Sequence, residues 1–290
     1  MRLEIIQLLF TLVVGAQKST ECNSPLYCDG KFLKAVQMNQ VLKDGKEIVD
    51  RATKRPVADV VKAFGALTDM SKETLKKFIE ENFHEAGHEV DKVELKNFED
   101  NPAFLDHVND PIFKGFAKQI HKLWSTLIFR ANTTKLCKGC VSSLLNANHN
   151  FIVPGGRFRE FYYWDSYFAL EGLNQGGVFD VSRDMILNLL DFVKDYGFVP
   201  NGASIYFLNR SQPPLLTQMV KQYVKASKDE AFIKEHIRTL DKEYHYWVNH
   251  HSVKVDCPDD KQDCFLTRYV VNNTRPAPSP TVRMLKLPFH

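Results

Sequence analysis

The sequence predicts an all-α protein, on three observations. Apolar residues recur at helical spacing along most of the chain, no region alternates at period two, and capping or breaking residues stand where periodic stretches begin and end. At 290 residues the chain is long enough to bury a sizeable core, as one large domain or two small ones. A formal charge of +3 spread over interspersed acids and bases leaves no basic stripe, which argues against nucleic acid as a partner.

In chain order, residues 1–16 read as a secretory signal peptide. Arg2 precedes an apolar run from Ile5 to Val14, and Val14-Gly15-Ala16 supplies the small residues that a signal peptidase requires. The run is too short to span a bilayer, which takes about 20 apolar residues. Six cysteines follow in three close pairs: Cys22 with Cys28, Cys137 with Cys140, and Cys257 with Cys264. An even number in an exported chain favours disulfides, with the connectivity left open. Asn132-Thr-Thr, Asn209-Arg-Ser and Asn272-Asn-Thr are glycosylation sequons. A glycan at Asn209 conflicts with the binding chemistry of the stretch around it. Together these features read as a secreted or surface glycoprotein.

Residues 17–150 form a helical region. Val60, Val61, Phe64 and Leu67 share one face, as do Leu75, Phe78, Ile79 and Phe83, with Ser71 placed to cap the second helix. A longer helix carries Phe113, Phe116, Ile120, Leu123, Trp124 and Leu127 on one side, its charged residues opposite. His84-Glu-Ala-Gly-His88 satisfies the H-E-x-x-H zinc pattern. Asp91 stands where a longer form of the pattern needs glycine, and Glu94 where it needs a third histidine. Gly87 reads instead as the end of the helix that starts near Ser71. No metal and no cofactor is expected.

Residues 151–270 continue in helices. Ser182 to Asp195 turns Met185, Ile186, Leu189, Leu190 and Val193 inward, and Tyr196-Gly-Phe-Val-Pro breaks it. Pro213-Pro214 read as opening the next helix, where a missing N–H costs nothing. Asp229 to Asn249 places Phe232, Ile233, Ile237, Leu240, Tyr244 and Trp247 on a last apolar stripe.

Two stretches carry binding chemistry. Pro154 to Tyr167 reads Pro-Gly-Gly-Arg-Phe-Arg-Glu-Phe-Tyr-Tyr-Trp-Asp-Ser-Tyr. A sugar ring has an apolar face and a rim of hydroxyls, so it needs a flat aromatic and fixed polar groups. Trp164 supplies the first, Arg157 and Asp165 the second. The other stretch, Asn201 to Pro214, offers Asn201, Arg210, Ser211 and Gln212, a mixture of donors and acceptors suited to a polyhydroxyl ligand. Taken singly, Arg210 reads as a surface ion pair and Ser211 as a helix cap.

The first stretch resembles the first signature of the trehalases, which split α,α-trehalose into two glucoses, with every fixed position filled. The second is similar to the Asn-Gly and Arg-Ser-Gln-Pro-Pro segments that trehalases carry at this distance. The likeness extends weakly back to Tyr27-Cys28 and forward to about Tyr269. It implies an (α/α)6 toroid, present here only in part, and an inverting reaction. In such a reaction one carboxylic acid protonates the glycosidic oxygen and a second carboxylate activates water, the two standing roughly 6.5–9.5 Å apart. It also implies Arg157, Trp164, Asp165, Asn201, Arg210, Ser211 and Gln212 as substrate-binding positions, with trehalose as the ligand.

The family segments that bear the acid and the base, a Glu-Ser-Gly-Trp-Asp and a later glycine-rich stretch, do not occur in the sequence. No catalytic residue is therefore assigned, and the chain reads as truncated before its catalytic carboxylates. Residues 271–290 depart from the family as an atypical tail. One permitted coding of Ala277 to His290 gives Pro-Glu-Ser-Tyr-Arg-Glu-Asp, the family's continuation, in another frame, so the tail reads as translated out of frame. The alternative to a trehalase fragment is a catalytically dead sugar-binding pseudoenzyme.

Overall fold

The computed structural model describes residues 18–95, 98–257 and 263–271. The expected signal peptide, the tail from Asn272 onward and the Asn272 sequon lie outside the described residues. Helices carry the architecture, as the periodicity predicts: α1 Lys31–Met38, α2 Lys46–Val49, α3 Val57–Gly65, α4 Lys72–Asn82, α5 Pro111–Leu127, α6 Tyr163–Gln175, α7 Phe179–Tyr196, α8 Leu216–Ser227 and α9 Ala231–His251. The caps follow sequence chemistry. Ser71 Oγ accepts the Thr74 N–H at 3.3 Å ahead of α4, and Asp110 Oδ1 accepts those of Ile112 and Phe113 at 2.8 and 3.1 Å ahead of α5.

Short strands supplement the helices. β1 Val90–Lys92, β2 Ile128–Ala131 and β3 Phe151–Ile152 form an antiparallel sheet in that order, with Val90 opposite Ala131 and Phe129 opposite Phe151. β4 Ser252–Val255 and β5 Cys264–Thr267 make a hairpin. Strands of two to four residues are too short for alternation to register in sequence. The three cysteine pairs are closed as disulfides, each within its own close pair.

The core has two centres. Around α1, α3 and α4, Phe32 stacks on Phe83 at 5.1 Å and meets the edge of Phe64 at 5.4 Å, with Leu26, Tyr27, Ile48 and Leu75 fully buried beside them. The larger centre lies among α6, α7, α8 and α9, where α6 packs on α7 and α8, and α9 packs on the same two. Met185, Ile186, Leu189, Leu190 and Val193 all point inward from α7. The loop between α7 and α8 touches both centres, because Tyr206 buries itself in the first while Ala203 and Leu208 belong to the second.

Several expectations change. α4 ends at Asn82, so Gly87 is a left-handed turn residue (φ 82°) rather than its terminus. His84 and His88 lie beyond that helix with their rings stacked at 3.7 Å, whereas the zinc pattern requires both on one helical turn. α8 starts at Leu216, two residues past Pro214; the prolines stand ahead of it, outside the helix. The stripes of α5 and α9 are only partly core. Trp124 and Leu127 pack inward, but Phe113 is 66% exposed and Phe116 61%. On α9, Phe232, Leu240 and Trp247 are buried while Ile237 and Tyr244 are exposed. Each of these helices has neighbours on one side, and an apolar stripe wider than that side remains uncovered.

Candidate sugar-binding site

The first binding stretch begins with a tight turn. Gly155 and Gly156 adopt φ of 95° and 61°, which a side chain would strain, and Gly155 and Phe158 exchange two backbone hydrogen bonds of 3.3 and 3.1 Å. Arg157 therefore projects from a reversal. Its Nε and Nη2 both donate to the Asp44 carboxylate at 2.6 Å. That pair pulls the Asp44 carboxyl down to about 2 and raises Arg157 further.

The chain bends at Glu160, is extended at Tyr162 and enters α6, where Trp164 and Asp165 occupy the first turn, both exposed. The second stretch is laid directly against this entry. Phe161 O accepts the Ala203 N–H at 3.0 Å, and Asn201 O accepts that of Tyr163 at 3.2 Å. Gln212 Oε1 accepts the Trp164 N–H at 2.9 Å, satisfying one of the free donors at the start of α6. Gly202 is required at this seam: a Cβ there would stand 2.9 Å from the Tyr162 ring and 3.0 Å from the Phe207 ring.

Aromatic contacts join the two stretches. Arg157 lies 5.4 Å from the Phe158 ring centre, Phe158 meets Tyr162 edge-on at 5.9 Å, and Tyr162 meets Phe207 at 5.8 Å. Arg210 lies 4.9 Å over Phe207. Burial lowers the pKa of Arg210, its Nη1 donates to Asn209 Oδ1 at 3.0 Å, and among the described residues no ion pair to it occurs. A partly desolvated cation without a carboxylate partner is unlike the surface ion pair that Arg210 alone would suggest. Ser211 is buried, and its hydroxyl donates to Val199 O at 2.6 Å. In this conformation it fixes the loop.

Beneath the site lies a buried polar network that the sequence reading missed. Glu160 Oε1 accepts from the Tyr162 hydroxyl at 2.9 Å, the Tyr206 hydroxyl at 3.1 Å and Lys46 Nζ at 3.0 Å, and its Oε2 accepts from Ser204 Oγ. Lys46 also pairs with Asp50 at 2.5 Å. Burial nonetheless raises the Asp50 carboxyl to about 6, outweighing the lowering by Lys46. The only sequence signal is Asp44-Gly-Lys-Glu-Ile-Val-Asp50, charges flanking two apolar residues, with partners more than a hundred positions away.

A family model described as Trehalase matches residues 40–286. The chain belongs to the trehalase family. It is 39% identical over 276 residues to the trehalase of Dictyostelium discoideum, covering 92% of this chain and 46% of that protein. It is 36% identical over 278 residues to the trehalase of Oryctolagus cuniculus, covering 93% and 48%. A solved structure of neutral trehalase Nth1 from Saccharomyces cerevisiae is 28% identical with a TM-score of 0.37, covering 48% of this chain and 26% of that one. The chain spans about half the length of the curated relatives it matches. Both trehalase segments, Pro154–Tyr167 and Asn201–Pro214, fall inside the matched region and meet at the start of α6.

Proposed function

We propose that this chain forms the substrate-binding wall of a trehalase site and holds one glucose unit of α,α-trehalose. Trp164 supplies the apolar face, and Arg157, Asp165, Asn201, Arg210 and Gln212 the polar rim. Ser211 shapes the loop that carries its neighbours. The observation that carries this reading is the joining of the two trehalase stretches at the first turn of α6, with an exposed indole and a partly buried guanidinium that has no ion pair among the described residues.

The family reaction needs a proton donor and a water-activating carboxylate on opposite faces of the bond. The segments that carry them in the family have no counterpart among these 290 residues, so on this reading these residues contribute sugar contacts and neither catalytic group, and no cleavage is expected of them alone. Asp165 sits in the sugar rim and does not replace them. Three disulfides, the N-terminal apolar run and the sequons support an exported glycoprotein.

Calorimetric titration of the purified, folded chain with trehalose, followed by a glucose assay on the same mixture, tests both parts. Saturable heat without glucose is the expected result. Absence of heat from folded protein removes the binding reading, and glucose above a no-enzyme blank removes the inactivity.

A further inference from the structure

We propose that Asp44 is a positioning residue for this sugar site, fixing the Arg157 guanidinium in the orientation that meets a sugar rim. The inference rests on the trehalose-binding reading. Arg157 stands on a glycine turn with nearly half its side chain exposed, a setting in which a long side chain samples many rotamers. Asp44 removes that freedom with two parallel bonds of 2.6 Å to Nε and Nη2.

Asp44 is itself held. Its Oδ1 accepts the Lys46 N–H at 3.0 Å, and α2 follows at once, anchored by the fully buried Ile48 and Val49. Lys46 ties the same helix to Glu160 within the binding stretch. The carboxylate therefore rides on a fixed element and transmits that fixity to Arg157. A guanidinium has five N–H donors; Asp44 takes one from Nε and one from Nη2, so three remain for hydroxyls. The ion pair thus orients the cation without consuming it, and breaking it weakens sugar binding. Asp44 stays ionised throughout the neutral range, its carboxyl held near 2 chiefly by the bond to Arg157.

The test uses Asp44→Asn, which keeps an oxygen to accept the Lys46 N–H, and Asp44→Glu, which keeps the charge one methylene displaced. Two readouts are taken: the Arg157 Nε–H resonance in labelled protein, and trehalose affinity by calorimetry. In the wild type the Nε–H is expected to be protected from exchange. In D44N that protection disappears and trehalose Kd rises about tenfold, equivalent to about 1.4 kcal/mol, with circular dichroism unchanged. D44E falls between the two, and it carries the test should D44N fail to fold. An Nε–H signal untouched by either substitution overturns the proposal, as does equal or tighter trehalose binding. Wild type with a protected Nε–H and no trehalose heat overturns the trehalose-binding reading while the Asp44–Arg157 fixture stands.

Discussion

Replacing Glu243 by Gln is expected to flatten the dependence of stability on pH. Glu243 is buried on the inner side of α9, where its Oε1 accepts the Tyr163 hydroxyl at 2.6 Å, and that hydroxyl in turn accepts the Leu216 N–H at 3.0 Å. The link ties α6, α8 and α9 together beneath Trp164. Burial raises the Glu243 carboxyl from its ordinary 4.5 to about 7, against a smaller lowering by the Tyr163 bond. Because the folded value lies above the unfolded one, its contribution to stability is complete below about 4.5 and is lost as pH rises through about 7. At about 1.4 kcal/mol per pH unit, the difference of about 2.5 between those values corresponds to roughly 3 kcal/mol. Gln keeps a carbonyl for Tyr163 and cannot ionise. Urea unfolding at pH 4.5 and pH 9 measures the effect: the wild type should lose about 3 kcal/mol more than E243Q between the two conditions. Other groups, Asp50 among them, titrate in both proteins and cancel in the comparison. Identical pH slopes for the two proteins would refute the assignment of Glu243 as a buried, protonated acid.

Two further outcomes follow from packing. Gly202→Ala places a methyl against the Tyr162 and Phe207 rings, and is expected to cost about 1–3 kcal/mol in urea unfolding while weakening trehalose binding; unchanged values in both contradict the close approach. Phe113→Glu with Phe116→Glu removes two exposed rings from α5, and should reduce dye binding and aggregation with less than about 1 kcal/mol lost in stability. A large stability loss would mean that this face is covered in solution.

How much was legible depended on whether the physics was local. The cap at Ser71 and the inward face of α7 are set within a few positions, and sequence spacing reads them; the cysteines were legible as disulfide-forming, while their pairing came from the structure. The α5 stripe shows the limit of that reading, since periodicity identifies an apolar face without identifying what covers it. The binding stretches were legible as chemistry, and their contact at the start of α6 depends on backbone pairing between residues about forty positions apart. Asp44, Lys46 and Asp50 were missed because each looks like a solvated charge until Arg157 and Glu160 arrive from far along the chain. Ser211 shows the reverse: a motif position whose hydroxyl the structure directs to Val199 O.

The most direct test of the central claim is a crystal structure of the chain grown with saturating trehalose. A glucose ring is expected to lie on the Trp164 indole within about 4 Å, its hydroxyls hydrogen-bonded to Arg157 and Arg210. Sugar bound elsewhere, or an open and empty Trp164 surface at saturation, would contradict it.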